Sequence, residues 1–221
     1  MITDMTLFIN YGYLQLFLTP IVTALDTPHS LLDRADLTSV FSNFIDIWNL
    51  HRAFFSSLDE HLHLVTAAFP AQSAPISPPH LSPVLLSHFP YLSLYTPFVT
   101  SFSASLAALT AFINTNSAFS TFVARQEADP RCGKLKLRDW LLTIVQRCPR
   151  YLLLLKDLMN CVNVEDPEYA SLMTVHALVF KSTWTLSILS LDNLIGFSSH
   201  DLFECITALT RSNSWPRSSP A

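Results

Sequence analysis

The chain has 221 residues, of which 50% are hydrophobic and only three are glycine, and its net charge is −4. The length suits one domain, and the scarcity of glycine argues against a β-sandwich or barrel and against glycine-rich phosphate loops. A negative net charge does not indicate the basic surface that binds nucleic acid, so we do not expect a nucleic-acid partner.

The cysteines and histidines indicate neither disulfides nor a metal centre. The four cysteines (Cys132, Cys148, Cys161 and Cys205) form no CxxC pair, which predicts a reduced, cytoplasmic protein. The eight histidines occur in no HExxH or Cys/His pattern, so we expect no metal and no cofactor. No apolar run reaches about 18 residues, so we expect no integral membrane segment, and peripheral recruitment to a membrane stays open.

Apolar residues recur at spacings of three and four through the first third of the chain, which predicts helices. A first helix is expected over Met5–Leu18. A second begins near Asp36, a favourable N-cap residue, and continues past Leu62. The stretch 68–83 contains five prolines and predicts an exposed loop. Its PxxP spacing lacks flanking arginines, which makes an SH3-domain ligand the weaker alternative.

Four more helical regions follow, and two of them carry prolines at informative places. The third region should break at Pro90 or Pro97, and Asp166 followed by Pro167 is a typical helix start. The expected regions are Val84–Ile113, Ser117–Ala128, Leu135–Val162 and a last helix from Asp166. We therefore predict an all-α fold, an elongated bundle of about six helices.

The fifth helix has one broad apolar face when its residues are placed at about 100° each. We expect this face to be core, and it comprises Leu141, Ile144, Val145, Cys148, Tyr151, Leu152, Leu155, Met159 and Val162. The opposite face carries Thr143, Gln146, Arg150 and Asp157, with Leu153 and Leu154 among them. Two large apolar side chains on a polar face indicate a second contact, made either by another helix of the bundle or by a partner protein.

Two further features mark this segment. Pro149 lies inside the expected helix, which predicts a kink near Val145 and Gln146. Seven of the 13 Lys and Arg residues fall between Arg131 and Lys156, which indicates either a partner surface or a solvated helix face.

The same segment resembles the third conserved region of Dbl-homology (RhoGEF) domains. Val145-Gln146-Arg147, Arg150-Tyr151 and the run Leu-Leu-Leu-Lys-Asp-Leu at 153–158 match that region in order and spacing. The stretch 41–51, with Phe41, Asn43 and His51, is similar to another conserved element of the family. The resemblance covers roughly residues 5 to 178 and implies an all-helical domain.

The resemblance also implies a function. Dbl-homology domains are guanine-nucleotide exchange factors for Rho-family small GTPases and perform no covalent chemistry. Gln146 and Arg150 align with positions that contact the GTPase switches in the family, although a salt bridge within the bundle is the alternative role for Arg150. The expected GTPase-binding residues are Gln146, Arg150, Leu153, Leu154, Lys156 and Asp157. The variant Pro149-Arg150-Tyr151 is like that of factors acting on the Cdc42-type branch.

Some parts of the chain depart from the family pattern. A Glu that contacts the first switch would precede Met1, and after Ala177 the similarity fades, with Asn193 the nearby candidate for a family Asn. We therefore expect a domain over 1–178, shortened at its start, and a divergent last helix with a disordered Ser/Pro-rich tail over 179–221. A weak exchange factor is expected, and the alternative is a helical scaffold whose exchange surface has decayed.

Overall fold

The fold is helical throughout the part of the chain that can be described. The computed structural model describes residues 14–25, 27–68 and 79–191, and no strand occurs among them. The all-α prediction is confirmed.

Nine α-helices and three short helical turns follow one another in the described residues. A π-helical turn, Leu14–Leu18, leads into α1 (Thr19–Ala24), α2 (Arg34–Phe41), α3 (Phe44–Ala68), α4 (Ser82–His88), a 3₁₀ turn (Phe89–Leu94), α5 (Tyr95–Thr115), α6 (Ser117–Glu127), a second 3₁₀ turn (Pro130–Cys132), α7 (Leu137–Val145), α8 (Arg147–Asn160) and α9 (Pro167–Leu191). The two longest helices, α3 and α9, have 25 residues each and extend about 37 Å at 1.5 Å per residue.

Side-chain caps set the starts of two helices. At α9 the prediction is confirmed, because the Asp166 carboxylate accepts a hydrogen bond from the backbone N–H of Glu168 at 2.8 Å. At α2 the expected start at Asp36 is wrong by one turn. Asp33 is the N-cap, with extended backbone and a carboxylate that accepts from the N–H of Asp36 at 2.7 Å.

The expected second helix is divided at Ser42. This residue has φ 49, in the left-handed region, and it separates α2 from α3. The side-chain amide Nδ2 of the next residue, Asn43, donates to the carbonyl of Leu94 at 2.8 Å. A contact between residues so far apart in sequence stabilises the break, and helix periodicity carries no information about it.

Prolines have different effects along the chain. Pro90 lies in the 3₁₀ turn that ends α4, which confirms the expected break, whereas Pro97 lies in the first turn of α5 and does not interrupt it. Pro83 lies in the first turn of α4, so the expected loop ends at the start of that helix. Proline is tolerated in a first turn because the N–H it lacks has no intrahelical partner there.

The first helix ends later than expected. It continues through Pro20 to Ala24, because Pro20 falls in the first turn of α1, after the π-helical turn. The expected start of this helix, from Met5, and most of the proline-rich loop, 69–78, lie outside the described residues.

The core is formed around α5, which packs against α2, α6, α7 and α9. The run Ser82–Thr115 is long and apolar enough to cross a membrane by composition, with a mean hydropathy of 1.4. The central helix of a bundle meets the same criterion, and here Phe98, Val99 and Phe102 are buried against the other helices. Among the described cysteines, Cys132, Cys148 and Cys161 are free thiols, as predicted.

Candidate functional site

The segment with the conserved-region motif folds as two helices. The expected single helix is interrupted at Gln146, between α7 and α8, which confirms the predicted kink near Val145 and Gln146. Pro149 becomes the third residue of α8. The N–H groups of the first turn have no intrahelical partner, so a proline there costs no hydrogen bond. This explains why the chain breaks before the proline.

The predicted core face of this segment is confirmed. Eight of its nine residues are buried, and Met159 is partly buried and packs against the core. The opposite side of the segment is therefore the side that can meet solvent or a partner.

Four of the six expected binding residues share that opposite side of α8. We call them the outer stripe: Gln146, Arg150, Leu153 and Asp157. Their spacings of four, three and four place them on one helix face. Arg150 Nη2 donates to Gln146 Oε1 at 3.4 Å, and both side chains are partly buried. Leu153 is 45% exposed.

The other two expected residues flank the outer stripe on opposite sides. Leu154 is partly buried and lines an apolar cavity of about 30 Å³ together with Phe54, Leu58 and Leu85. Of the two apolar side chains on the nominally polar face, Leu154 thus packs within the bundle, whereas Leu153 stays exposed. Lys156 is exposed on the side of α9.

Lys156 acts on a neighbour across the α8–α9 contact. Burial and, secondarily, the positive charge of Lys156 lower the pKa of His176 in α9. A charge effect of this kind requires the two side chains to be near each other, so this flank of α9 lies beside Lys156.

The seven basic residues do not form a single surface. Arg147 is buried, whereas Arg131 is exposed and pairs with Asp129 at 2.7 Å. Hydrogen bonds from the Arg131 side chain and backbone lower the pKa of Asp129 to about 2. The solvated-face interpretation therefore fits this part of the chain better than one contiguous basic patch.

A buried set of hydrogen bonds fixes α8 to the rest of the bundle. We call it the buried relay: Arg147, Tyr151, His51 and Tyr95. Arg147 Nε donates to Tyr151 Oη at 3.1 Å, and Tyr151 Oη lies 3.0 Å from His51 Nδ1. His51 Nε2 lies 2.6 Å from Tyr95 Oη. The relay therefore connects α8 with α3 and α5 in the interior.

The chemistry of the relay requires a neutral histidine. Burial and, secondarily, the charge of Arg147 lower the pKa of His51 to about 3. A neutral imidazole has one donor and one acceptor nitrogen, so it can serve both tyrosine hydroxyls. Burial also raises the pKa of Tyr151 to about 12, which keeps that hydroxyl protonated. Sequence reasoning missed this relay because its members are far apart in the chain.

A second buried polar contact ties α9 to α4. Glu168 is 4% exposed, and its Oε1 accepts from the backbone N–H groups of Leu81 and Ser82, each at 2.8 Å. Its Oε2 accepts from Ser82 Oγ at 2.6 Å. A carboxylate at the start of a helix satisfies N–H groups that have no intrahelical partner. The start of α9 is thereby held against α4.

No cluster of three or more His, Cys, Asp or Glu side chains that could hold a metal occurs in the described part of the chain. The outer stripe is a helix face that buried contacts hold in a fixed position. In a comparison with protein families, a model described as "RhoGEF domain" matches residues 4–185. The chain belongs to the RhoGEF domain family.

The match ends within α9 of this RhoGEF domain. Within the expected divergent segment, α9 continues to Leu191, and Thr183 and Leu186 are buried. Asn193 and the Ser/Pro-rich tail lie outside the described residues. The domain boundary at 178 stays a prediction.

Curated relatives are larger proteins that contain this domain. The RhoGEF domain is 26% identical over 144 residues to human FYVE, RhoGEF and PH domain-containing protein 2, covering 65% of this chain and 20% of that protein. It is 30% identical over 101 residues to human FYVE, RhoGEF and PH domain-containing protein 6, covering 46% of this chain and 7% of that protein. The chain thus spans a fifth or less of the length of these two relatives.

Solved structures share the fold. The DH/PH domains of p115-RhoGEF match with a TM-score of 0.67 at 20% identity, over 85% of this chain and 52% of that one. An activated truncation of Vav1 matches with a TM-score of 0.68 at 18% identity, over 98% of this chain and 48% of that one. The DH/PH fragment of PDZRHOGEF, solved in complex with human RhoA, matches with a TM-score of 0.68 at 18% identity, over 85% of this chain and 50% of that one. These likenesses confirm the helical bundle of DH domains.

Proposed function

We propose that this RhoGEF domain binds a Rho-family small GTPase through the outer stripe of α8 and accelerates the release of its GDP. The observation that carries the proposal is the outer stripe itself. It places Gln146 and Arg150, the two positions that align with switch contacts in the family, on the accessible side of a helix whose other side is core. The complex of human RhoA with the structurally similar PDZRHOGEF fragment supports the same partner class.

The chemistry of the stripe suits a protein partner. Among the described residues, Arg150 donates one hydrogen bond to Gln146, and a guanidinium has five N–H donors in a planar arrangement that fits a carboxylate or a backbone carbonyl. Leu153 adds apolar area beside these polar groups. Binding surfaces commonly combine an apolar centre with flanking arginine and amide groups.

The fixed position of α8 in the bundle affects the free energy of binding to a GTPase. An exchange factor performs no covalent step, and it must bind the nucleotide-free GTPase more tightly than the loaded one. Binding of the factor then lowers the affinity of the GTPase for the nucleotide, and the nucleotide lowers its affinity for the factor by the same ratio. A helix fixed by the buried relay loses little conformational freedom on binding, so more of the contact free energy remains available for displacing the nucleotide.

The finer part of the proposal concerns which GTPase is served. The variant Pro149-Arg150-Tyr151 supports a Cdc42-type GTPase, because exchange factors for that branch have a similar sequence there. Pro149 precedes Arg150 in the first turn of α8 and therefore fixes the backbone from which this arginine projects.

The test is the release of a fluorescent GDP analogue from purified Cdc42-, Rac- and Rho-type GTPases with and without the full chain. We expect accelerated release, strongest for the Cdc42 type, and a large reduction in Arg150→Glu. The control is Arg138→Glu, which changes an exposed arginine in the first turn of α7 and should retain the wild-type rate. Circular dichroism should show both variants folded.

The possible outcomes separate the competing functions. Equal effects of the two arginine variants would contradict the role of the outer stripe. Tight binding to the nucleotide-free GTPase without accelerated release would favour the decayed scaffold. Absence of both binding and release for every GTPase would refute the proposed function.

A further inference from the structure

A cleft separate from the outer stripe lies between the start of α5 and the middle of α9. Its volume is about 300 Å³, which matches the lower end of small-molecule sites. On α9 it is lined by four residues of one helix face: Leu178, Lys181, Ser182 and Thr185. At 100° per residue, the centre of this face is about 170° from His176, whose neighbour is Lys156 of α8. The cleft and the α8 contact therefore lie on opposite sides of α9.

The inner part of the cleft is apolar. It is lined by Phe89 and Leu92 of the first 3₁₀ turn and by Leu186 of α9. These three side chains are 3%, 2% and 6% exposed, so they lie at the bottom of the cleft. A hydrocarbon group that contacts them is removed from water, which favours its binding.

The outer part of the cleft is lined by hydrogen-bond donors. Lys181, Thr185 and Ser93 are exposed, and Thr96 and Ser182 are partly buried. The ammonium group has three N–H donors and each hydroxyl has one. No Asp or Glu side chain of the described residues lines the cleft. This outer part therefore suits an anion that has several acceptor oxygens.

Two of the donors, Thr96 on α5 and Lys181 on α9, have no hydrogen-bond or ion-pair partner in the part of the chain that the structure describes. For Thr96 this is an exception on its helix. The remaining threonines of α5 each donate to the carbonyl four residues earlier at 2.8 Å: Thr100, Thr110 and Thr115. Each wall of the cleft thus has one donor that a ligand oxygen can satisfy.

We propose that this cleft binds a small phosphate monoester that carries an apolar organic group. The phosphate lies between Lys181 and Thr96, and the apolar group lies against Phe89, Leu92 and Leu186. A phosphate monoester has three strong acceptor oxygens and close to two negative charges near neutral pH, whereas a carboxylate has two oxygens and one charge. A lysine surrounded by hydroxyls therefore suits the phosphate better. The same chemistry occurs in soluble alkyl phosphates and in the lipid phosphatidic acid.

The test is isothermal titration of the full chain with hexyl phosphate near neutral pH, which should show saturable binding. Two matched compounds should bind at least about tenfold more weakly. Hexyl glucoside keeps the hydrocarbon chain and lacks the charge, and inorganic phosphate keeps the charge and lacks the chain. Equally tight binding of either compound, or absence of hexyl phosphate binding, would overturn the proposal.

Substitutions place the ligand in the cleft. Lys181→Gln should weaken hexyl phosphate binding by about ten- to a hundredfold, because it removes a charge-assisted hydrogen bond. Thr96→Val removes only a neutral donor and should weaken binding by about fivefold. The matched controls, at an exposed lysine before α7 and an exposed threonine one turn further along α5, are Lys134→Gln and Thr100→Val. Both controls should bind like the wild type, and thermal unfolding without ligand verifies that all four variants are folded.

Vesicles distinguish the two sources of the ligand. Sedimentation with phosphatidylcholine vesicles that contain phosphatidic acid, lost with pure phosphatidylcholine and in Lys181→Gln, would support the proposal with a lipid as the ligand. Binding of hexyl phosphate without sedimentation would support it with a soluble compound. Unchanged affinity of both Lys181→Gln and Thr96→Val for hexyl phosphate would overturn it. Because these assays contain no GTPase, their outcome is independent of the proposed exchange function.

Discussion

The titration of His51 provides a quantitative test of the buried relay. His51 is 2% exposed and lies between Tyr151 and Tyr95, and burial, together with the nearby Arg147, lowers its pKa from 6.5 to about 3. In the unfolded chain the imidazole is solvated and has its ordinary pKa. The substitution His51→Gln removes the titrating group but keeps a side chain that can donate and accept hydrogen bonds.

The sign and size of the effect follow from linkage. As the pH falls below 6.5, the unfolded state takes up a proton that the folded state refuses until about pH 3. The contribution of His51 to stability is therefore complete above pH 6.5 and is lost progressively toward pH 3. Each pH unit in this window corresponds to about 1.4 kcal/mol. Between pH 6.5 and pH 5, His51 should account for a loss of about 2 kcal/mol in the free energy of unfolding.

Urea unfolding at pH 7, 6 and 5 measures this contribution as a difference in pH dependence. His51→Gln lowers stability at pH 7 through its altered contacts, so the slopes are compared rather than the absolute values. The variant should lose about 2 kcal/mol less than the wild type between pH 7 and pH 5. The control His63→Gln, at a side chain that is 79% exposed, should keep the wild-type slope. Parallel slopes for wild type and His51→Gln would refute the account of a neutral, buried His51.

Two further substitutions test the contacts that hold α8 and α9 in place. Tyr151→Phe removes the oxygen that accepts from Arg147 Nε and should lower the free energy of unfolding in urea by about 1–3 kcal/mol, whereas Tyr91→Phe on the surface should have almost no effect. Equal stability of the two variants would show that the relay contributes nothing. Glu168→Ala removes the carboxylate that accepts from Ser82 and should lower the thermal midpoint by several degrees, corresponding to about 1–3 kcal/mol. An unchanged midpoint would show that solvent satisfies the start of α4 equally well.

Elements set by neighbouring residues were predictable from the sequence. The start of α9 follows from Asp166 and Pro167, a cap and a first-turn proline that act within one turn. Helix α6 likewise has the expected bounds within one residue, Ser117–Glu127. The break at Ser42 was not predictable, because a hydrogen bond from Asn43 to the distant Leu94 stabilises it. Helix propensity depends on neighbouring residues alone and therefore cannot predict such contacts.

In the candidate site, too, features set by neighbouring residues were predictable and features set by distant contacts were not. Periodicity correctly placed Gln146, Arg150, Leu153 and Asp157 opposite the core, because the last three share the 3.6-residue repeat of α8 and Gln146 is its N-cap residue. It could not separate Leu153 from Leu154. Adjacent residues differ by about 100° around the helix, and only the packing of α3 and α4 determines which of the two turns inward.

The sequence does not determine how α8 is rotated about its own axis, and the structure shows this orientation. Because the chain breaks at Gln146, the face that α8 presents cannot be extrapolated from α7. It is set by the hydrogen bonds of Tyr151 to Arg147 and His51, and by Leu154, which lines the apolar cavity together with Tyr151. Because Tyr151 and Leu154 line the same apolar cavity, a rotation of α8 that turned the outer stripe inward would disturb both contacts together. The outward direction of Arg150 and Leu153 is therefore a consequence of buried contacts, and a substitution in the relay should weaken the proposed GTPase binding even though the relay side chains are buried.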